Sequence, residues 1–411
     1  MPAFEIALGL VRGLCAGESV ELQAHLAALH ASAQRGAIGT STAAVVNAAR
    51  ARAIPTIRLT EEANHFQLGW GSRQKRIQAT ITGDTSHVGV VTAADKQLTK
   101  SLLEQAGIPV PQGGVALGAG EAIALAGRLG FPVTLKPLDG NQGKGVSTCC
   151  TDDTQVARGF AAASEYARRV IVERHIEGRD FRVLVTGDRV AAALLRHPPA
   201  VTGDGVSTIA QLVEAENANP ARGEGHANIP TRLDLDEHAL ALLRTQGFEA
   251  ALVAPAGMQV RLRGNANLST GGTAEDVTEQ LHPHTREACI RAARTIGLDI
   301  AGIDVVCSDI AQPLCQQGGA IIEVNAAPDI RIHELPSKGR ARSAGEAIVQ
   351  AMFGDGDSRI PVIAVTGTNG KTTTTLMIEL CARMAGLATG ATTTEGVYIK
   401  GRRMIEGDCA G

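Results

Sequence analysis

The stretch "GGAIIEVNAAP", Gly318–Pro328, decides how the rest of the chain is read. It opens on a glycine pair, runs through apolar and β-branched residues and stops at a proline, the pattern of a strand. Its polar residues, Glu323 and Asn325, are two apart and therefore project from the same face. The preceding strand, "AGIDVVCSDI" (Ala301–Ile310), carries Asp304, which the intervening turn can bring alongside as an antiparallel neighbour. Two carboxylates and an amide on one sheet face offer hard oxygen donors of the kind Mg²⁺ takes while keeping water and substrate phosphates. Carboxylates buried at this density are costly unless a cation neutralises them. A plainer reading stands beside it: Asp304 caps a turn and Asn325 satisfies backbone groups.

Moving outward, "ADKQLTKSLLEQAG" reads as a helix that starts near Asp95, stops at Gly107 and carries Lys100. "FPVTLKPLDG" is a strand bearing Lys136, and "DGNQGKGV" after it is a glycine-rich loop with Gly143, Lys144 and Gly145. Such a loop lets backbone N–H groups close over phosphates, and the lysines add charge for a polyphosphate. "RRVIVERHI" is a further strand with Glu173 near its end, and Asp180 follows seven residues later. These acids suit a ribose or a lysine. "DFRVLVTGDRVAAALL" is a hairpin turning at Gly187-Asp188, and "HTREACIRAARTIGL" is an amphipathic helix. Alternating strands and helices without internal repeats indicate an α+β or α/β fold.

Three regions emerge. Residues 1–90 hold helices around Ser19–Arg35 and Ser41–Ala51 and a strand at "AIPTIRL"; residues 91–353 hold the strands and helices above; residues 354–360 form a Gly- and Asp-rich linker to residues 361–411. Composition narrows the function. Net charge is −3, so nothing general attracts nucleic acid or a membrane surface. No apolar run approaches the roughly eighteen residues of a membrane span. The eight cysteines lack any Cys-x-x-Cys, which fits reduced thiols in a cytoplasm.

The order "DKQLTK", "LKP", glycine-rich loop, "VERHIEGRD", "GIDVV", "IIEVNAAP" resembles the ATP-grasp superfamily, over roughly 260 residues. The resemblance implies MgATP held between two α+β lobes: Asp304, Glu323 and Asn325 on the metal, Lys100 and Lys136 on phosphates, Glu173 near the adenine. "LRHPPAVTGDGVSTIAQLV" and "LRGNANLSTGGTAEDVTEQLHP", with "GTSTAAVVNAARARAIPTIRL" and "FQLGWGSRQKRIQATITGDTS" in the first region, are similar to the cyanophycin synthetase family. In "NLSTGG" the residues Asn267, Ser269, Thr270, Gly271 and Gly272 gather an amide, hydroxyls and open N–H groups near Arg263, suited to a carboxylate or phosphate. A connecting loop without ligands is the alternative. The family has glycine after "NAAP" where this chain has Asp329, which would strain a turn requiring positive φ. The first region is also shorter than the family's N-terminal domain.

"RIPVIAVTGTNGKTTTTLMIELCARMAGL" reads as strand, turn and helix. Val365 replaces the first glycine of strict Walker A spacing, and Gly367, Thr368, Asn369, Gly370, Lys371, Thr372 and Thr373 form the variant typical of Mur-type ligases. About fifty residues cannot complete such a domain, so the chain is read as part of a longer enzyme. The resemblance implies an ATP-dependent ligase. It activates the C-terminal carboxylate of a cyanophycin-like polymer primer as an acyl phosphate and adds L-aspartate, with Arg263 and Lys136 at the reacting group. L-arginine addition falls to the incomplete Mur-like region, and a homo-oligomer is expected. A ligase making a short glutathione-like peptide and an inactive nucleotide- or polymer-binding fragment are the rivals.

Overall fold

A computed structural model describes residues 2–17, 21–60, 63–138, 144–219, 222–223, 231–266, 270–356 and 358–410. It divides into two compact units, Met1–Arg359 and Ile360–Gly411.

At the centre of the first unit lies a five-stranded sheet, ordered Thr273–Asp276, Arg189–His197, Arg179–Thr186, Ile300–Cys307, Ala320–Asn325, with every neighbour antiparallel. Its two faces follow from the alternation along each strand. Ala301, Ile303, Val305 and Cys307 join Phe181, Val183 and Val185 on one face, packed against Leu103 of the helix Lys96–Gln105 and Cys289, Ala293 and Ile296 of the helix Pro283–Ile296. Local chemistry sets the helix ends. Asp95 accepts from the N–H groups of Gln97 and Leu98, and Gly297 closes the second helix at φ 85°. Phe181, Ile303 and Val305 are fully buried, so cutting any of them to alanine costs about 2–5 kcal/mol.

The opposite face changes character along the strands. At one end Ile300 and Leu184 pack beneath Val45, Val46 and Ala49 of the helix Thr40–Ala51 and Ile348, Val349 and Met352 of the helix Ala344–Phe353. Those helices approach closely at Gly345, where a Cβ would stand 2.5 Å from the Ala44 carbonyl oxygen. Phe66, Leu68 and Ile77, from an antiparallel four-stranded sheet spanning Thr56–Thr82, complete this core. Residues 38–77 therefore share a hydrophobic core with the central sheet. Further along the same face come Gly302 and Asp304, with Arg182 and Asp180 on the adjoining strand. Helices Pro2–Cys15 and Leu22–Gly36 lie against each other; the sequence reading had placed only the second.

Two smaller bodies flank the sheet. One is a four-stranded antiparallel sheet ordered Gly113–Ala116, Val170–Arg174, Val133–Pro137, Ser147–Cys150, with the helices Ala119–Leu129 and Asp153–Ser164 packed on it. The other spans residues 200–262, where Ala200–Thr202 pairs with Gln259–Arg261 and two helices enclose a core of Val201, Ile209, Leu243 and Val260.

The second unit has the helix Lys371–Met384 and an antiparallel sheet of Gly390–Thr393, Gly396–Ile399 and Arg402–Glu406. The helix matches expectation, but the strand expected before the turn does not form. Residues 360–366 are extended without ladder partners, and Val362 and Ile363 are 70% and 66% exposed. An apolar run becomes a strand only beside another edge, and none of this unit's three strands takes that place.

Candidate active site

A cleft of about 740 Å³ is lined from the four-stranded body by Thr134, Thr148 and Glu173, and from the central sheet by Asp180, Arg196, Val306 and Ile322. Two clusters of buried charge stand along it.

The first joins three elements. Lys100 comes from the helix Lys96–Gln105, Lys136 from the strand Val133–Pro137 and Glu173 from the neighbouring strand Val170–Arg174. Glu173 is 4% exposed; Lys100 Nζ reaches its Oε2 at 2.8 Å and Lys136 Nζ its Oε1 at 2.7 Å. Burial alone would raise the Glu173 carboxyl. The Lys136 and Lys100 ammoniums outweigh it and hold the pKa below the ordinary carboxylate value. Of the partners the sequence suggested for this acid, the structure supplies lysine, twice. Each ammonium retains donors that a phosphate can take.

The second cluster lies on the central sheet. Register places Glu323 opposite Asp304 and Asn325 opposite Gly302. The pairing then slips by one residue, so Ile322 bulges towards the cleft while Ile321 and Val324 both remain in the core. Asp304 is 4% exposed and held by two guanidiniums: Arg182 engages both of its oxygens, and Arg196 Nη2 lies 3.3 Å from Oδ2. Burial raises the Asp304 carboxyl, but Arg182 and then Arg196 bring it below its ordinary value. Asp180 behaves oppositely. Burial raises its pKa, with Arg196 at 4.0 Å too distant to offset it. Glu323 Oε1 lies 3.7 Å from Lys96 Nζ, and the Asn325 amide donates to the Gly302 carbonyl at 3.3 Å, leaving its oxygen available.

These donors fit a hard divalent cation: two carboxylates and an amide oxygen converge on one face, too few to enclose it, so phosphate and water oxygens would complete the shell. Among the described residues no group of three or more His, Cys, Asp or Glu forms a cage for a metal on its own. A cation at Asp304 would have to share the carboxylate with Arg182 and Arg196.

Sequence reasoning missed those two arginines and Lys96, although Arg182 and Lys96 left a signal. Arg182 is in phase with Asp180 on its strand, and Lys96 is four residues from Lys100 on one helix face.

The remaining expected residues are dispersed. Gly143, Asn267 and Ser269 lie outside the described residues. Lys144 is exposed, and Gly145 has φ 68°, where a Cβ would meet Tyr166 at 2.7 Å. Gly271 lines the cleft at φ 96° and accepts from Arg222 at 3.2 Å; Thr270 and Gly272 flank it. Arg263 is turned to Asp236 at 2.8 Å and to the Leu262 carbonyl at 3.0 Å, and does not line the cleft. In the second unit Lys371 Nζ donates to the Gly367 carbonyl at 2.8 Å, Thr372 meets Thr394 at 3.2 Å, and Gly370 has φ 76°. Thr368, Asn369 and Thr373 belong to the same turn and first helical residues. The strain expected at Asp329 is absent, since its φ is not positive. Its carboxylate instead accepts from Ser41 Oγ at 2.8 Å and pairs with Arg331, so the side chain repays its place through hydrogen bonds.

Comparison with known proteins bears on the fold and the family. The model of the RimK-like ATP-grasp domain matches residues 93–211 and 253–341, and the interruption falls within the body at residues 200–262. The chain is 44% identical over 395 residues to a cyanophycin synthetase of Geminocystis herdmanii, covering 95% of this chain and 45% of that protein. It is 31% identical over 285 residues to a glutathione biosynthesis bifunctional protein of Desulfotalea psychrophila, covering 69% and 37%. The crystal structure of a bifunctional glutathione synthetase from Pasteurella multocida superposes with TM-score 0.61 at 27% identity, covering 77% and 44%. The chain thus spans less than half the length of these relatives.

Proposed function

Because this chain belongs to the RimK-like ATP-grasp family, we propose that it is the ATP-dependent half of a cyanophycin-type ligase, joining L-aspartate to the C-terminal carboxylate of a polymer primer. The observation that carries the reading is a pair of charge clusters that reach one cleft, the first through Glu173 with its two lysines, the second through Asp180 and Arg196 beside the Asp304–Glu323–Asn325 face. Similarity to a cyanophycin synthetase over 95% of the chain supports the choice of polymer.

In the proposed reaction a primer carboxylate oxygen attacks the γ-phosphorus of ATP. The bond to the β,γ-bridging oxygen breaks, releasing ADP and leaving an acyl phosphate. The neutral amine of aspartate then attacks the acyl carbon, phosphate departs, and the amine proton passes to solvent. Lys100 and Lys136, fixed by Glu173, would hold phosphate oxygens without reorganising, which is where most catalytic advantage in phosphoryl transfer arises. Asp304, Glu323 and Asn325 would hold Mg²⁺, whose chemistry is neutralisation of developing phosphate charge. Arg263, expected at the reacting acyl group, would have to leave Asp236 to reach it. Addition of L-arginine is assigned to the Mur-like region of longer relatives, and self-association remains part of the same proposal.

The test is phosphate release from ATP with primer and aspartate, separately and together, with the primer weighed by mass spectrometry. Phosphate release that needs both, with a gain of one aspartyl residue, supports the reading. A gain of arginine alone overturns it.

A further inference from the structure

The strand Ala320–Asn325, which carries Glu323 and Asn325, leads into a connection, residues 326–330, that is fastened from outside the central sheet. Thr80 is 1% exposed, and its Oγ1 donates to the Pro328 carbonyl at 2.9 Å. Ser41 lies in the first turn of the helix Thr40–Ala51. Its Oγ donates to Asp329 Oδ1 at 2.8 Å and accepts from the Ile330 N–H at 3.2 Å. The Asp329 carboxylate thereby stands at the positive end of that helix, and Arg331 Nε donates to it at 2.8 Å.

What these bonds keep in place is Pro328. Gly302 lies opposite Asn325 in the sheet, and its carbonyl accepts from the Asn325 amide at 3.3 Å. A Cβ added at Gly302 would meet Pro328 Cβ at 2.8 Å, Arg182 Nη1 at 3.2 Å and Arg182 Cδ at 3.4 Å. Pro328 and Arg182 therefore share the space over Gly302, and the proline ring bounds the room in which the guanidinium can turn. That guanidinium is the one that engages both oxygens of Asp304. In a close-packed interior, a displacement of the ring is passed to whatever it touches.

We infer that Ser41 and Thr80 are positioning residues for the Asp304–Glu323–Asn325 face. By pinning the connection they keep Pro328 against Gly302, and so hold the Asn325 amide and the Arg182 guanidinium in their places. Both act through Pro328 and its neighbours, not by contact with a cation. Asp329 gives Ser41 a side-chain acceptor that a glycine would lack. The inference rests on the ligase reading only in placing a divalent cation on that face, and its test needs no turnover.

MnATP stands in for MgATP, since Mn²⁺ takes the same oxygen donors. Water-proton relaxation is enhanced when the ion tumbles with the protein, so titration of the whole chain reads MnATP affinity. Affinity for ATP without metal is measured in parallel, with chelator present, by competition against a fluorescent ATP analogue. Ser41→Ala and Thr80→Val each remove one hydroxyl. Each is expected to weaken MnATP binding about three- to tenfold, the scale of one hydrogen bond, and to leave metal-free ATP within about twofold. Ser41→Thr keeps the hydroxyl and should bind MnATP within about twofold of the parent. Parent-like MnATP affinity in both hydroxyl variants, an equal loss of metal-free ATP affinity, no rescue by Ser41→Thr, or no MnATP bound by the parent each overturns the inference. If the variants shift MnATP binding as described while no primer gains an aspartyl residue, the ligase reading fails and the positioning role stands. Joining of aspartate with unchanged MnATP affinity in both variants removes the positioning role alone.

Discussion

Two buried carboxylates in this molecule, Glu173 and Asp304, are each held by two cations, yet they are built for different behaviour. Glu173 is held by ammoniums, each of which meets one of its oxygens and keeps further protons to donate. Asp304 is held by guanidiniums, and Arg182 closes on both of its oxygens. Beside Asp304 stand Glu323 and an available amide oxygen, so a cation has other donors to bind. Among the described residues the charged partners of Glu173 are the two lysines. In the proposed reaction the first acid would aim cations, and the second would stand where cations can be exchanged. Lysine and arginine are not interchangeable in these roles.

That contrast can be broken by substitution. The largest expected effect is in Glu173→Ala, which leaves two buried ammoniums unpaired. Loss of one partner of a buried pair costs about 3–5 kcal/mol, so urea unfolding should show a comparable fall in stability along with loss of ATP binding. A near-native midpoint would mean that the lysines find other partners and that Glu173 does not organise them.

Next comes Glu323→Ala. Its carboxylate is about one-third exposed on its side chain, so the fold should survive. Mg²⁺-dependent ATP turnover should fall on the order of 10²-fold or more, the loss typical of removing one preorganised electrostatic contact. Turnover at the parent rate, with the parent protein active in the same assay, would remove Glu323 from the site.

A pH titration sharpens the comparison further. The Glu173 carboxyl has its pKa lowered in the folded protein from 4.5. The folded state then binds fewer protons there than the unfolded chain. Its stabilisation is fully present above that unfolded value and drains away as pH falls through the folded pKa. Acid unfolding followed by circular dichroism should be less steep in Glu173→Gln than in the parent. An unchanged acid limb would show that other carboxylates dominate it.

The smallest effect is expected in Lys371→Ala. Its ammonium is bonded to its own turn at the Gly367 carbonyl, and the turn's preceding strand is not formed. Calorimetric titration should return MgATP affinity within about twofold of the parent, as for an exposed charge that does not touch the ligand. Loss of all binding would move the nucleotide site to the second unit.

Much of the fold was legible because its signals are local. Asp95 and Gly107 bracket a helix, Gly187 turns a hairpin, and the alternation of Ile303, Asp304 and Val305 separates a core face from a polar one. The core that residues 38–77 share with the central sheet was not legible, for the opposite reason. Val45, Leu184, Ile300 and Ile348 are joined only by packing, and no periodicity links residues so far apart in the chain. The strand expected over residues 360–366 failed on the same ground, since its apolar pattern lacks a neighbouring edge.

The candidate site divides along that line. Residue order and the two-residue spacing of Glu323 and Asn325 were enough to identify the ATP-grasp pattern and the side of the sheet on which its acids stand. Those are properties of strand periodicity, fixed by backbone geometry before any packing. Only the tertiary structure decided that Lys100 and Lys136 share one carboxylate, that Arg182 and Arg196 close on Asp304, and that Arg263 turns to Asp236. The reason is physical: a charge buried in the fold must find a partner wherever folding brings one within reach, and that choice depends on distances in space that spacing along the chain does not encode.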